Sequence, residues 1–239
     1  LRKLASIFQK IDLKRILCFT CDKQYFSIVP STLLTYNLIE INGDRMPLET
    51  KYQVDQDKID NLLSPKRVST LDMLSILTFS EISRRDNVAD IGCGPGYFAL
   101  KLAKAVIDGK LYAVDTNPQM VDICQQQITS ARLGNVEVKL CDQFDFNLED
   151  NSLDGAFLAF VIHESTDHIR LLQSVGKLLK PNGWITILEW SGKESQDGPS
   201  MQQQLVPARL RELSYEAGLR YRNWRDINDN QYMMTLRNR

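Results

Sequence analysis

Residues Asn87–Leu102, NVADIGCGPGYFALKL, constrain the fold of this chain more than any other stretch. A short apolar run of Val88, Ala89 and Ile91 carries one acid, Asp90, and breaks into Gly92-Cys93-Gly94-Pro95-Gly96 before helix-forming residues resume. The pattern predicts a buried strand, a tight turn and the first turn of a helix. Glycines let a backbone come close to a ligand, and a helix start presents N–H groups that lack intrahelical partners. The spacing is G-x-G-x-G, with Tyr97 following it and an acid two residues before the first glycine. The dinucleotide-binding fingerprint is instead G-x-G-x-x-G.

The residues that follow alternate between strand and helix patterns. Leu100–Val106 completes the first helix, and Lys110–Val114 predicts a second strand ending in Asp115, about twenty residues beyond the loop. An acid there suits a ribose, because one carboxylate can accept from two hydroxyls. Asn117-Pro118 reads as an N-cap and first-turn proline for a helix reaching Ala131. Val136–Leu140 is a third strand leading into Cys141-Asp142-Gln143, and Leu153–Val161 a fourth leading into Ile162-His163-Glu164. Ser165 or Thr166 then caps a helix through Lys180, Pro181-Asn182-Gly183 stops it, and Trp184–Trp190 forms a fifth strand. A polar stretch, residues 191–204, is a candidate lid, followed by a helix over Val206–Ala217 and strands near Leu219–Asp226 and Gln231–Leu236. Upstream, Ser69 to Asp72 opens a helix running to about Ser83.

Composition excludes several classes. The formal net charge of −1 creates no global field toward nucleic acid or an acidic membrane. No apolar run is long enough to span a bilayer. Five cysteines without framework spacing point to a reducing compartment, hence to the cytoplasm; the start at Leu1 rather than Met leaves an organelle and a trimmed targeting segment open.

Residues 1–66 read as a separate α+β extension. Leu1, Leu4, Ile7, Phe8 and Ile11 recur at helical spacing opposite basic residues, which suits a helix packed on its own domain, a membrane-surface helix or a presequence. Tyr25–Val29 and Leu33–Ile41 read as strands, and Asn42-Gly43 as a hairpin turn, with Pro47 shortening the strand after it. Cys18 and Cys21 have C-x-x-C spacing, but no second ligand pair accompanies them, so structural thiols are expected and no metal site. The extension would serve as a cap or a homodimer contact.

With Asp90, Gly92, Gly94, Gly96, Asp115, Asp142 and the LLKPNGWITILEW segment in register, residues 67–239 resemble a small class I S-adenosylmethionine (SAM)-dependent methyltransferase, in particular the ubiquinone/menaquinone methyltransferase-like group. The resemblance implies an α/β fold, a Rossmann-like seven-stranded sheet of order 3-2-1-4-5-7-6 with the seventh strand antiparallel and helices on both faces. Asn182 stands where the family usually has a second glycine.

By that resemblance SAM is the methyl donor. Asp90, Gly92, Gly94 and Gly96 would hold its methionine part, with loop amides on the carboxylate and Asp90 toward the cationic end. Asp115 would hold the ribose, Asp142 and Gln143 the adenine, and Phe160 would line the pocket near the sulfonium. His163, beyond the carboxyl end of the fourth strand, is the one base placed to serve the acceptor. The expected reaction moves the methyl group to oxygen or activated carbon of a small or lipid-like acceptor. An Asp/Asn-Pro-Pro-aromatic run, as in amino-methylating nucleic-acid enzymes, is missing after the fourth strand, and no cysteine is placed for cytosine-C5 or arsenite chemistry. Two alternatives stay open: an RNA methyltransferase, given Arg209, Arg211, Arg220, Arg222, Arg225, Arg237 and Arg239, and a SAM-binding partner subunit without activity.

Overall fold

The computed structural model describes residues 38–41, 44–47, 53–64, 70–194 and 198–239. The chain divides into two units, residues 1–51 and 52–239. In the first, β1 (Leu38–Ile41) and β2 (Asp44–Pro47) pair antiparallel with Ile41 opposite Asp44, the register of a hairpin, and Pro47 ends β2. Asn42 and Gly43, the helical repeat from Leu1, the strand expected at Tyr25–Val29, and Cys18 and Cys21 lie outside the described residues.

The second unit holds α1 (Gln56–Leu63), α2 (Met73–Phe79), β3 (Asn87–Ile91), α3 (Ala99–Ala105), β4 (Lys110–Asp115), α4 (Pro118–Ser130), β5 (Val136–Leu140), β6 (Leu153–Ala159), a 3-10 turn (Ile162–Glu164), α5 (His168–Leu178), β7 (Leu179–Trp190), α6 (Pro207–Glu216), β8 (Arg220–Asn228) and β9 (Gln231–Arg237). Seven strands form one sheet in the order β5-β4-β3-β6-β7-β9-β8. Counted from β3 this is 3-2-1-4-5-7-6. All pairs are parallel except those of β9, which runs antiparallel to both β7 and β8.

The central strands are apolar almost throughout because both faces are covered. Side chains alternate between two cores. Val88, Leu111, Phe157, Trp184 and Leu188 face a layer containing Leu102, Cys124, Ile128 and Ile76 of α2, α3 and α4. Ala89, Ile91, Leu158, Ile185 and Ile187 face Leu171, Leu172, Val175, Leu210 and Leu213 of α5 and α6. This is the period-two geometry of a strand buried on both sides. Each fully buried side chain such as Phe157 or Leu158 contributes about 1.5–3 kcal/mol. The sheet's β8 edge is the polar one, with Arg220, Arg222 and Arg225 exposed.

Several boundaries differ from the sequence expectation, three of them for a visible reason. Helix α2 stops at Phe79 rather than near Ser83, because the Ser80 hydroxyl donates to the Ile76 carbonyl and Glu81 takes a φ of 58°. The N-cap of α5 is Asp167, whose carboxylate accepts from the Arg170 N–H at 3.0 Å, and not Ser165 or Thr166. Finally, β7 starts at Leu179, so α5 ends at Leu178 rather than Lys180; Pro181-Asn182-Gly183 is an irregularity inside β7, where Asn182 takes a φ of 64°.

The candidate lid is pinned at both ends. Gln204 accepts from the Gly192 N–H and donates to the carbonyls of Lys193 and Pro199. Residues 195–197 of that stretch lie outside the described set.

Candidate active site

The parallel strands end at one rim, and the turn after β3 sets its floor. Gly92, Gly94 and Gly96 have φ values of 70°, 52° and 95°, a region that L side chains seldom adopt. The loop is stitched to the neighbouring strand: the N–H groups of Gly92 and Cys93 both donate to the Val114 carbonyl, at 2.8 and 3.0 Å. The Gly94 N–H donates to Asp115 Oδ2 at 2.8 Å, and the Gly96 N–H to the Cys93 carbonyl at 3.1 Å. These four amides therefore serve the loop itself. What the loop offers is open space: a Cβ built on Gly94 meets nothing within 4 Å, whereas one built on Gly92 would lie 2.5 Å from Val161 Cγ2.

Asp115, the last residue of β4, accepts from the backbone N–H groups of Gly94 on Oδ2 and Asn117 on Oδ1 at 2.9 Å, with the Thr116 N–H as a third donor. The two carboxylate oxygens have about four lone-pair sites between them, so acceptor capacity remains. Burial raises the Asp115 pKa, and the hydrogen bonds from Asn117, Gly94 and Thr116 only partly oppose it. Asp90 is 1% exposed near the end of β3. Asp142 is exposed just past β5, its N–H donating to the Asp145 carbonyl. Gln143 turns toward the next loop, where Thr166 Oγ1 donates to its Oε1 at 3.1 Å and its Nε2 meets Ser165 Oγ at 3.4 Å.

After β6 the chain turns sharply. Phe160 adopts a φ of 62°, uncommon for an aromatic residue, while its N–H stays paired with the Leu188 carbonyl and its ring packs 5.4 Å from that of Trp190. The reversal leads into the 3-10 turn and brings His163 onto Glu189, near the end of β7. Glu189 is 0% exposed and accepts from the His163 backbone N–H at 3.1 Å, from His163 Nδ1 at 2.9 Å and from the Trp190 N–H at 3.2 Å. A carboxylate accepts only, so Nδ1 carries the proton and Nε2 is the basic nitrogen. Burial acts to lower the His163 pKa, but the hydrogen bond and charge of Glu189, aided by Glu164, outweigh it, so the net direction is upward.

Among the described residues no group of His, Cys, Asp and Glu could hold a metal ion. The cysteines near the rim are not nucleophiles. Cys93, hydrogen-bonded to Cys124 and buried, is held well above its usual pKa, and burial together with three nearby acids pushes Cys141 up to about 12.

The methyltransferase domain family matches residues 88–183. A solved SAM dependent methyltransferase from Aquifex aeolicus superposes with a TM-score of 0.74 at 26% identity, covering 78% of this chain and 100% of that one. Residues 88–183 are thus similar to methyltransferase domains, and the fold is similar to that of a SAM dependent methyltransferase. The demethylmenaquinone methyltransferase of Geobacillus kaustophilus is 29% identical over 118 residues, 46% of this chain and 50% of that protein. The 2-phytyl-1,4-naphtoquinone methyltransferase of Trichormus variabilis is 31% identical over 123 residues, 49% of this chain and 52% of that protein. The chain thus spans about half the length of the curated relatives it matches.

The methyl donor of such domains is SAM, and the residues at the rim fit it. Asp115 retains acceptor capacity for a hydroxyl, the loop is open at Gly94, and Asp90 is a buried carboxylate near the end of β3, just before that loop. Glu189 escaped the sequence reading. Its signal was an acid within the apolar run Trp184–Trp190, which a strand buried on both faces has no reason to carry unless it is paired.

Proposed function

We propose that this protein transfers the methyl group of SAM to oxygen or an activated carbon of a small or lipid-like acceptor, of the quinone-related kind that the relatives' names describe. The observation that carries the reading is the Asp115 carboxylate, locked to the glycine loop by the Gly94 N–H yet still able to accept from a ribose hydroxyl. SAM supplies an electrophilic methyl group. Asp115 would orient the ribose, Asp142 the adenine edge, and Asp90 with Gly92, Gly94 and Gly96 the methionine part. Phe160 would exclude water beside the reacting carbon, and His163 would serve the acceptor. Methyl transfer of this type depends chiefly on in-line positioning in a site that excludes water.

In support of a small acceptor over RNA, five of the seven tail arginines are engaged within the protein. Arg237 pairs with Glu81 and donates to the Asn182 carbonyl, and Arg209 pairs with Glu212. Arg220 donates to Asn182, Arg211 stacks over Tyr221 and Arg225 over Phe79. A cytoplasmic location accords with Cys93, Cys124 and Cys141 remaining buried free thiols.

The test is methyl transfer from radiolabelled SAM, in the full chain and in Asp115→Ala, to reduced 1,4-naphthoquinone and to total RNA. Label in the naphthalene product, lost in Asp115→Ala, supports the reading. Label in RNA alone contradicts the acceptor assignment, and S-adenosylhomocysteine binding with no transfer to either favours a partner subunit.

A further inference from the structure

We propose that Glu189 is a positioning residue that fixes His163 as the general base for an acceptor hydroxyl of phenolic or enolic type. The proposal deepens the methyl-transfer reading and rests on it.

Three observations carry it. First, Glu189 is buried on a strand face whose neighbouring residues, Ile185 and Ile187, are apolar, and every donor it meets belongs to the turn at His163 or to Trp190 next to it. A buried ion pair contributes little net stability compared with apolar packing, so its presence in a sheet core points to chemistry. Second, Glu189 grips both the backbone N–H and the Nδ1 of His163, which fixes the ring's tautomer as well as its position. Among the described residues no hydrogen bond engages Nε2. Third, the left-handed Phe160 stores the strain that carries the chain back over β7 and creates the contact.

The charged groups around the imidazole are Glu189 from β7, Glu164 from its own turn, Lys58 from α1 and His168 from α5. The acceptor class follows from matching proton affinities. A phenolic hydroxyl titrates near about 10, within a few units of an imidazole held above about 6.5, whereas an aliphatic alcohol is far less acidic.

In the step itself the acceptor O–H bond breaks, its proton goes to Nε2, and the electron pair remains with the acceptor. That pair, on oxygen or on the conjugated ring carbon, forms the new bond to the methyl carbon. The bond from carbon to sulfur breaks with its pair left on sulfur, which becomes neutral. Where carbon is the site, the ring carbon then loses its own proton to solvent.

The test uses the full chain, whose only two histidines are His163 and His168. Long-range proton–nitrogen NMR, assigned with His168→Gln, reads the tautomer and the titration of His163. The expected result is an Nδ1-protonated ring titrating above about 6.5, shifting downward and losing its fixed tautomer in Glu189→Gln. In parallel, turnover is followed with 1,4-dihydroxynaphthalene, catechol and phenol, with ethanolamine as an amine comparator, and S-adenosylhomocysteine binding is measured by calorimetry. His163→Gln should lower kcat by roughly 10²–10⁴-fold. Glu189→Gln should lower it less and move the acidic limb of the profile to lower pH, both variants keeping wild-type affinity for S-adenosylhomocysteine.

Unchanged kcat and pH profile in Glu189→Gln, with only stability altered, overturns the proposal and leaves a structural pair. Binding of S-adenosylhomocysteine with transfer to ethanolamine, or to none of the phenolic probes, overturns the acceptor class. Absence of that binding in the wild-type chain marks instead the failure of the methyl-transfer reading.

Discussion

Asp115 accepts a hydrogen bond from the Gly94 N–H at 2.8 Å, so the acid that ends β4 and the glycine loop that follows β3 form one unit. The loop cannot shift without disturbing the carboxylate, nor the carboxylate be removed without leaving a loop donor unpaired. Binding at Asp115 and order in the loop are therefore coupled.

Asp115→Ala should lower stability by about 1–3 kcal/mol through the unpaired donors and weaken S-adenosylhomocysteine binding at least tenfold. Urea unfolding and calorimetry measure the two effects. The burial that raises the Asp115 pKa also has a pH signature. The ligand-free protein should lose stability from this group as pH rises through its raised folded value, a component missing from Asp115→Ala.

Two glycine substitutions in the same loop should behave differently. Gly94→Ala carries only the strain of a positive φ, about 1–2 kcal/mol, since its Cβ enters open space. It should fold, yet bind the ligand poorly, because that space is where the ligand would lie. Gly92→Ala adds overpacking against Val161, about 1–3 kcal/mol more, and should show the larger drop in melting temperature.

His163 binds its proton more tightly in the folded protein than in the unfolded chain, because the hydrogen bond and charge of Glu189 outweigh burial. The stability it contributes is complete below about 6.5 and is lost as pH rises through the raised folded value. His168 shifts downward through burial and acts in the opposite sense. Thermal unfolding in a His168→Gln background should therefore show a falling midpoint across that window, and adding Glu189→Gln should flatten it.

Tyr232 spans two parts of the second unit: its buried hydroxyl donates to the Leu205 carbonyl at 2.6 Å, tying the chain before α6 to β9. Tyr232→Phe leaves that carbonyl unpaired and should cost about 1–3 kcal/mol, with little change in S-adenosylhomocysteine affinity. Chemical denaturation and calorimetry together check the separation.

Much of the sheet was legible because buried parallel strands such as Leu153–Ala159 are near-continuous apolar runs; the half-buried edge strand Val136–Leu140 also appears with the expected limits. Asn117 caps α4 through its Oδ1, as the Asn-Pro pair implies. The α5 cap was misread because Ser165, Thr166 and Asp167 are all good caps, and only the tertiary bond from Thr166 to Gln143 decides among them. Pro181-Asn182-Gly183 looked like a helix stop because local propensity does not reveal that Leu179 pairs with Leu153 and starts the strand early. Asp115 and His163 lie at or just beyond strand ends, and Asp90 near one, where the sequence places them. The contact of Glu189 with His163 was not legible, since it depends on a turn at Phe160 that no local pattern announces.

Calorimetric titration of the full chain with S-adenosylhomocysteine, paired with thermal unfolding, tests the central claim most directly. The account predicts one saturable site and, at about a hundredfold excess over Kd, roughly 2.7 kcal/mol of added stability, a rise in midpoint of roughly 5–10 °C that Asp115→Ala abolishes. No binding heat and no shift in the wild-type chain would contradict it.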